Sequence, residues 1–313
     1  MAARLSEGRG GLASLSTGVS SGDAISDASF WFKTFGGDVQ QDSIGGVEGY
    51  DASIFGMTLG YDAQINPYLC LGIAGGISEA NTESTSSQET RITSYQGVLY
   101  GSFDSDNDNL GNHYYIDAFL AFSSNDYQST RSIYNGDVAT GNYAGRQTSS
   151  KVEVGYTIER GKFEFTPLAS LEYTRLRMDP YTEKGSDAWN LSVEEQGEDV
   201  IKTGIGFQLS CLIETQSVSK GVAENPSDKW IPTFRAVYLY DSNADVAETT
   251  ASFVGGGDSF ITQGADVDRS SILLGAGLAF LSQKGMSLTG NYSYEHKEGF
   301  SGHAYDLTLR VDF

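Results

Sequence analysis

From position 305 to the last residue, apolar and polar side chains take strict turns. Tyr305, Leu307, Leu309, Val311 and Phe313 stand on one parity, and Asp306, Thr308, Arg310 and Asp312 on the other. Successive side chains of a strand point to opposite faces, so an extended chain here has one apolar and one polar face. Such a strand, about ten residues long, suits a membrane barrel: apolar side chains meet hydrocarbon, polar ones face the lumen, and neighbouring strands satisfy every backbone group.

The pattern recurs along the chain. Phe163, Phe165, Pro167, Ala169, Leu171 and Tyr173 alternate with a set that includes Glu164, Thr166, Ser170 and Glu172. Trp230, Pro232, Phe234, Ala236, Tyr238 and Tyr240 alternate with a set that includes Thr233, Arg235 and Asp241. Val152, Val154, Tyr156 and Ile158 alternate with Lys151, Glu153, Thr157 and Glu159, and Leu288, Tyr292 and Tyr294 with Thr289, Asn291, Ser293 and Glu295. Further strands are expected at 205–213, 272–280, 114–122, 95–103, 69–77, 55–61 and, more weakly patterned, 30–35, which makes twelve. Two features favour lipid over water outside. The expected strands run to roughly ten to fifteen residues, against about five or six in globular sheets. Aromatic residues also gather at strand ends (Tyr61, Tyr68, Tyr114, Phe163, Tyr173, Trp230, Tyr240, Tyr294, Tyr305), where interfacial girdles sit. The fold class is therefore an all-β transmembrane, twelve-stranded antiparallel barrel.

Composition excludes the main alternatives. No run of about 18 or more apolar residues occurs, so no helix is expected to cross a membrane. With 18 Tyr, 16 Phe and only 5 Pro the chain is too aromatic for a disordered one. A net charge of −21 argues against nucleic acid as a partner and fits acidic, solvated loops. Two Cys far apart in sequence, Cys70 and Cys211, are read as unpaired small hydrophobes.

Connections alternate between short and long. Loops at 38–46, 81–90, 126–144, 178–195, 242–266 and 296–302 are expected outside, with turns at 63–67, 105–111, 160–161 and 283–285 on the periplasmic side. The 215–228 connection departs from that rule. An even strand number puts both barrel ends on the periplasmic side. Before the first strand, Leu5, Leu12, Leu15 and Val19 are spaced by 7, 3 and 4, as on one helix face. Residues 1–28 are accordingly expected to form a linker with a plug helix in the lumen (Arg4, Leu5, Glu7, Arg9, Leu12, Leu15), and 29–313 the barrel domain. Inside the lumen the walls would offset the cost of Gly8, Gly10, Gly11 and Gly18. The N-terminus lacks the apolar core and cleavage site of a secretory signal, so a longer precursor is expected.

Several segments resemble the translocator β-domain of type V autotransporters, most closely that of rickettsial surface cell antigens. They are RLSEGRGGLASLSTGVSSGDA, ASFWFKTFGG, GMTLGYD, KVEVGYTIERGKFEFTPLASLEYTRLR and AYDLTLRVDF. The resemblance implies an outer-membrane barrel that anchors and exports an N-terminal passenger. It also implies that Tyr305, Leu307, Leu309, Val311 and Phe313 form the signal read by the barrel-assembly machinery. Self-cleavage in some such proteins uses an Asn in the helix; residues 2–29 contain none, and cleavage is not expected.

For chemistry, the polar parity offers Lys151, Glu153, Glu159, Glu164, Glu172, Arg235, Asp306 and Arg310 as lumen-lining charges. They either neutralise one another or clamp the plug through Arg4, Glu7 or Arg9. His113, His296 and His303 would have to converge beside a reactive serine to make a hydrolase, and their placement at opposite barrel ends argues against it. No spaced Cys/His set suggests a metal. GGIS, GVEGY and VGGGD read as turns or smooth wall beneath aromatics, since no helix follows them to make a phosphate loop. The expected function is a monomeric, non-enzymatic translocator without cofactor, its partners being its passenger, the assembly machinery and outer-membrane lipid. The alternative is a stand-alone channel whose acidic lumen favours cations.

Overall fold

The computed structural model describes residues 28–84, 88–105, 111–215, 218–219, 222–223, 228–242 and 248–313. Twelve long strands dominate it: β1 Ala28–Gln41, β2 Tyr50–Asn66, β3 Leu69–Ser84, β4 Gln88–Asp104, β5 His113–Ser132, β6 Val138–Arg160, β7 Phe163–Met178, β8 Gln196–Cys211, β9 Asp228–Asp241, β10 Ser270–Ser282, β11 Met286–Lys297 and β12 Phe300–Asp312. Each is antiparallel to its neighbours in sequence, and β12 returns to pair with β1 from Ser29↔Asp312 to Gln41↔Phe300, which closes the barrel. All twelve expected strands are present. The plug-helix segment lies outside the described residues.

Parity decides the two faces. Phe30, Leu59, Ile73, Leu99, Phe122, Leu171, Ile205, Leu278 and Leu307 all stand exposed on the outer surface, where lipid would cover them. The polar parity turns inward, where Lys33, Asp62, Glu153, Arg235 and Arg310 are each under a tenth exposed. Glycines shape the wall. Trp31 lies over Gly60, Tyr100 over Gly72 and Tyr115 over Gly155, each ring filling the space that a Cβ would take. The close approach of a neighbouring strand's ring thus accounts for glycine at these three positions, whereas Gly76 of GGIS has Thr58 and Gln96 beside it and no ring. Gly46 at the start of GVEGY instead sits in a turn, and Gly256 and Gly257 of VGGGD take positive φ in irregular chain just after one.

The strands outrun the membrane, and the expected loop at 126–144 is corrected by this. β5 has 20 residues and β6 has 23, where about ten span a bilayer. On β5 the outward residues are apolar from Tyr114 to Phe122, then Ser124, Asp126 and Gln128 follow. The hairpin therefore rises well beyond the lipid before it turns at 133–137. Its stem is held by stacked tyrosines: Tyr127 on Tyr143 at 4.7 Å and Tyr143 on Tyr181 at 4.1 Å between centroids. Beside it, the long external connections build a four-stranded sheet in the order Phe260–Gln263, Glu248–Phe253, Leu191–Val193, Tyr181–Thr182. A bridge from Thr140 to Lys184 joins this sheet to β6.

The opposite end carries tight turns such as Gly161–Lys162, where Gly161 adopts φ +68°. The departure at 215–228 also resolves. After Leu212 the chain re-enters the ladder as Ile213–Thr215, paired with Asp228–Trp230, and Val218–Ser219 pairs with Val222–Ala223. The described residues of that connection thus extend the β8 and β9 ladder by short paired segments.

Candidate functional site in the barrel lumen

The lumen collects charge from nearly every strand, and three networks organise it. At the end where the chain termini meet, Arg310 of β12 donates twice to Asp62 of β2, Nη1 to Oδ2 at 3.0 Å and Nη2 to Oδ1 at 2.5 Å. The same guanidinium reaches Ser29 Oγ on β1 at 2.8 Å and Asp312 at 3.0 Å. Tyr100 Oη donates to Asp62 at 2.8 Å and accepts from Trp31 Nε1 at 2.5 Å. Asp62 is 1% exposed, so its charge is held by paired donors in place of water. Four strands (β12, β1, β2, β4) are tied across the closing seam. Lys33 with Asp306 at 3.4 Å, and Asn291 with Asp306 at 3.0 Å, continue the seam upward.

The second network is centred on Glu153 of β6. Arg235 of β9 donates to it through Nη1 at 3.1 Å and Nη2 at 2.5 Å, Tyr115 Oη adds a bond at 3.0 Å, and Lys151 stands 3.9 Å away. β6 and β9 are separated by two strands, an arc of about 14 Å at the usual strand spacing. Neither side chain spans that alone, so the two leave the wall and meet as a chord inside the lumen. The third network repeats the device nearer the external mouth. Lys202 of β8 reaches Glu295 of β11 at 3.4 Å, again three strands on, while Asp241 lies 3.9 Å from Lys202 and 3.8 Å from Lys297. Ser271 Oγ donates to Glu295 at 2.7 Å.

All eight charges expected in the lumen lie on the face opposite the exposed apolar parity. Glu153, Arg235 and Lys151 share one network, Arg310 and Asp306 belong to the seam, and Glu172 lies on β7 between the two chords. Glu159 and Glu164 sit lower, near the tight β6–β7 turn, where Asn112 accepts from the Glu159 amide at 3.2 Å. Sequence reasoning did not name Asp62, Lys33, Lys202 or Lys297, and it put Asp241 and Glu295 on the polar parity without counting them among the lumen charges. The signal was present for some: Asp62 follows the outward Tyr61, and Glu295 follows Tyr294, on the inward parity of strands already recognised.

Apolar patches interrupt the charge, among them Ile231 packed with Ala279. Trp31, Cys70, Val98, Tyr100, Phe119 and Ala121 cluster on one wall, and Leu168, Val237 and Leu273 on the other. Cys70 and Cys211 are both free thiols. The histidines do not converge: His113 begins β5 at the tight-turn end, whereas His296 and His303 lie on the outer face of β11 and β12 near the other end. There Tyr292 Oη lies 2.7 Å from His303 Nδ1 and Tyr294 rests against both imidazoles. Among the described residues no group of three or more side chains is arranged to hold a metal.

This geometry has relatives. A family model described as the autotransporter beta-domain matches residues 30–293. Outer membrane protein B of Rickettsia typhi is 24% identical over 308 residues, 94% of this chain and 18% of that protein. Outer membrane protein A of Rickettsia conorii is 26% identical over 216 residues, 64% of this chain and 10% of that protein. This chain thus spans less than a fifth of the length of these two rickettsial proteins. Among solved structures, the translocator domain of autotransporter NalP from Neisseria meningitidis superposes with a TM-score of 0.70 at 15% identity, covering 93% of this chain and 90% of that one. The β-domain of the Bordetella autotransporter BrkA follows with 0.64 at 16% identity, covering 92% and 100%. Barrel, relatives and family agree on the bacterial outer membrane as its location. The chain belongs to the autotransporter β-domain family.

Proposed function

We propose that residues 29–313 anchor a longer protein in the outer membrane and export its N-terminal passenger through the lumen, without being an enzyme. The observation that carries this reading is the meeting of both barrel termini at one end, where the Phe313 N–H donates to Ala28 O at 3.1 Å. That end bears the tight turns and is the periplasmic one by the usual asymmetry. A chain that joins β1 there and is displayed outside has to pass through the lumen. Residues 1–27, ahead of the wall strand that starts at Ala28, would then be the linker in the pore. Arg4, Glu7 and Arg9 would meet wall charges, while Leu5, Leu12 and Leu15 would cover the apolar patches that a water-filled pore would otherwise leave wet. The closed barrel suits a monomer in lipid. Tyr305, Leu307, Leu309, Val311 and Phe313, along the β12 edge that pairs last, are the segment proposed to engage the assembly machinery.

The test is single-barrel conductance in planar bilayers before and after removal of residues 1–24. A lumenal linker predicts a clear rise. Unchanged, high, cation-selective conductance would favour a stand-alone channel instead.

A further inference from the structure

The external sheet carries a feature that neither lipid nor the lumen explains. Tyr134, Trp189, Phe253 and Phe260 form a ladder of rings: Tyr134 to Trp189 at 5.4 Å and 88°, Trp189 to Phe253 at 5.9 Å and 87°, Phe253 to Phe260 at 5.5 Å. The β5–β6, β7–β8 and β9–β10 connections each contribute to it. Tyr134 is 84%, Val254 53% and Ile261 61% exposed. Tyr134 follows ten further strand residues after Phe122, the last lipid-facing side chain of β5, which lifts it roughly 25 Å above the hydrocarbon at ordinary rise and tilt. These rings face water. A contiguous exposed apolar patch in water marks a contact surface.

Beside the ladder runs an open edge. Phe260–Gln263 pairs with Glu248–Ala251 on one side and, among the described residues, with no strand on the other. All four of its residues are exposed. Its sequence, FITQ, has none of the lysines or prolines with which edge strands usually repel an added strand.

We infer that this edge and ladder receive an extended, apolar-alternating segment of the exported chain itself as it leaves the pore, by strand addition. This rests on the export reading above. Size selects the occupant. A free partner needs about 1,000 Å² of interface, more than a four-residue edge and four rings offer. A chain emerging from the same mouth is tethered, and a short tether supplies an effective concentration in the millimolar range. Relatives such as the Rickettsia typhi protein, of which this chain covers 18%, have most of their length outside the matched part. Main-chain pairing would give the affinity and the ladder the register, with apolar side chains on the facing parity.

The experiment uses the full native precursor in the outer membrane, with a photo-reactive residue at position 261. Illumination should join the loop to sequence N-terminal to residue 1 within one molecule. Ile261→Lys and Trp189→Ala should speed external proteolysis of that membrane-proximal segment about fivefold or more. Surface passenger and the heat-modifiable mobility of the barrel should not change, and Trp189→Phe should restore protection. Adducts only to other proteins or to a second copy, or unchanged proteolysis, overturn the docking alone. Absence of surface passenger in the native chain overturns the export reading and the docking with it.

Discussion

Asp62 takes two bonds from Arg310, one from Tyr100 and a weak one from the Cys70 thiol at 3.8 Å, with almost no water in reach. Removing one partner of such a buried pair leaves the other charge uncompensated, and the loss is typically about 3–5 kcal/mol. Asp62→Ala should therefore lower stability by that order in reversible urea unfolding from lipid vesicles. Asp62→Ala combined with Arg310→Met should cost clearly less than the sum of the two single changes, because neither Asp62 nor Arg310 is then left without the other. Strict additivity would mean that the seam pair does not act as a unit. Tyr100 and Trp31 extend the same unit, and they can do so because Gly72 and Gly60 let their rings lie flat on the wall.

At the scale of the strand, lipid is what made the sequence readable. Wherever hydrocarbon covers the outer face, alternation is enforced, and the centres of all twelve strands stand out. Where both faces see water, the constraint disappears. The upper parts of β5 and β6, Ser123 to Ser132 and Val138 to Ser150, are polar on both parities and resemble a loop, although they form the longest hairpin. The external sheet is equally silent, since its strands are two to six residues long. Inward charges could be read from parity, but their partners could not. The strand that Arg235 or Lys202 meets across the lumen follows from closure and stagger, which no local pattern carries. Parity itself has a direct check. Leu307→Arg would put a cation against lipid and should cost about 2–4 kcal/mol near the midplane. Ala304→Arg, inward on the same strand, should cost far less. Equal losses in vesicle unfolding would refute the assignment of faces.

For the whole molecule, the two chords bear on how a barrel of this size would hold and pass a chain under the export proposal. Arg235–Glu153 and Lys202–Glu295 each cut across an arc of wall, so the free cross-section is smaller than strand number alone implies. Both are ion pairs between flexible side chains and can part without moving any backbone hydrogen bond. A passing extended segment can therefore displace them while the wall stays intact. If residues 1–24 fill the lumen as proposed, the chords are what narrows it once those residues are removed. Conductance should then rise in two steps, first on deletion and again when Arg235→Ala and Glu153→Ala are added. That double change removes one charge of each sign and should leave ion selectivity nearly unaltered. Arg235→Ala alone leaves Glu153 facing the water and should shift the pore towards cations. If the double variant conducts no better than the deletion alone, the constriction lies elsewhere and the chord serves only to brace β6 against β9.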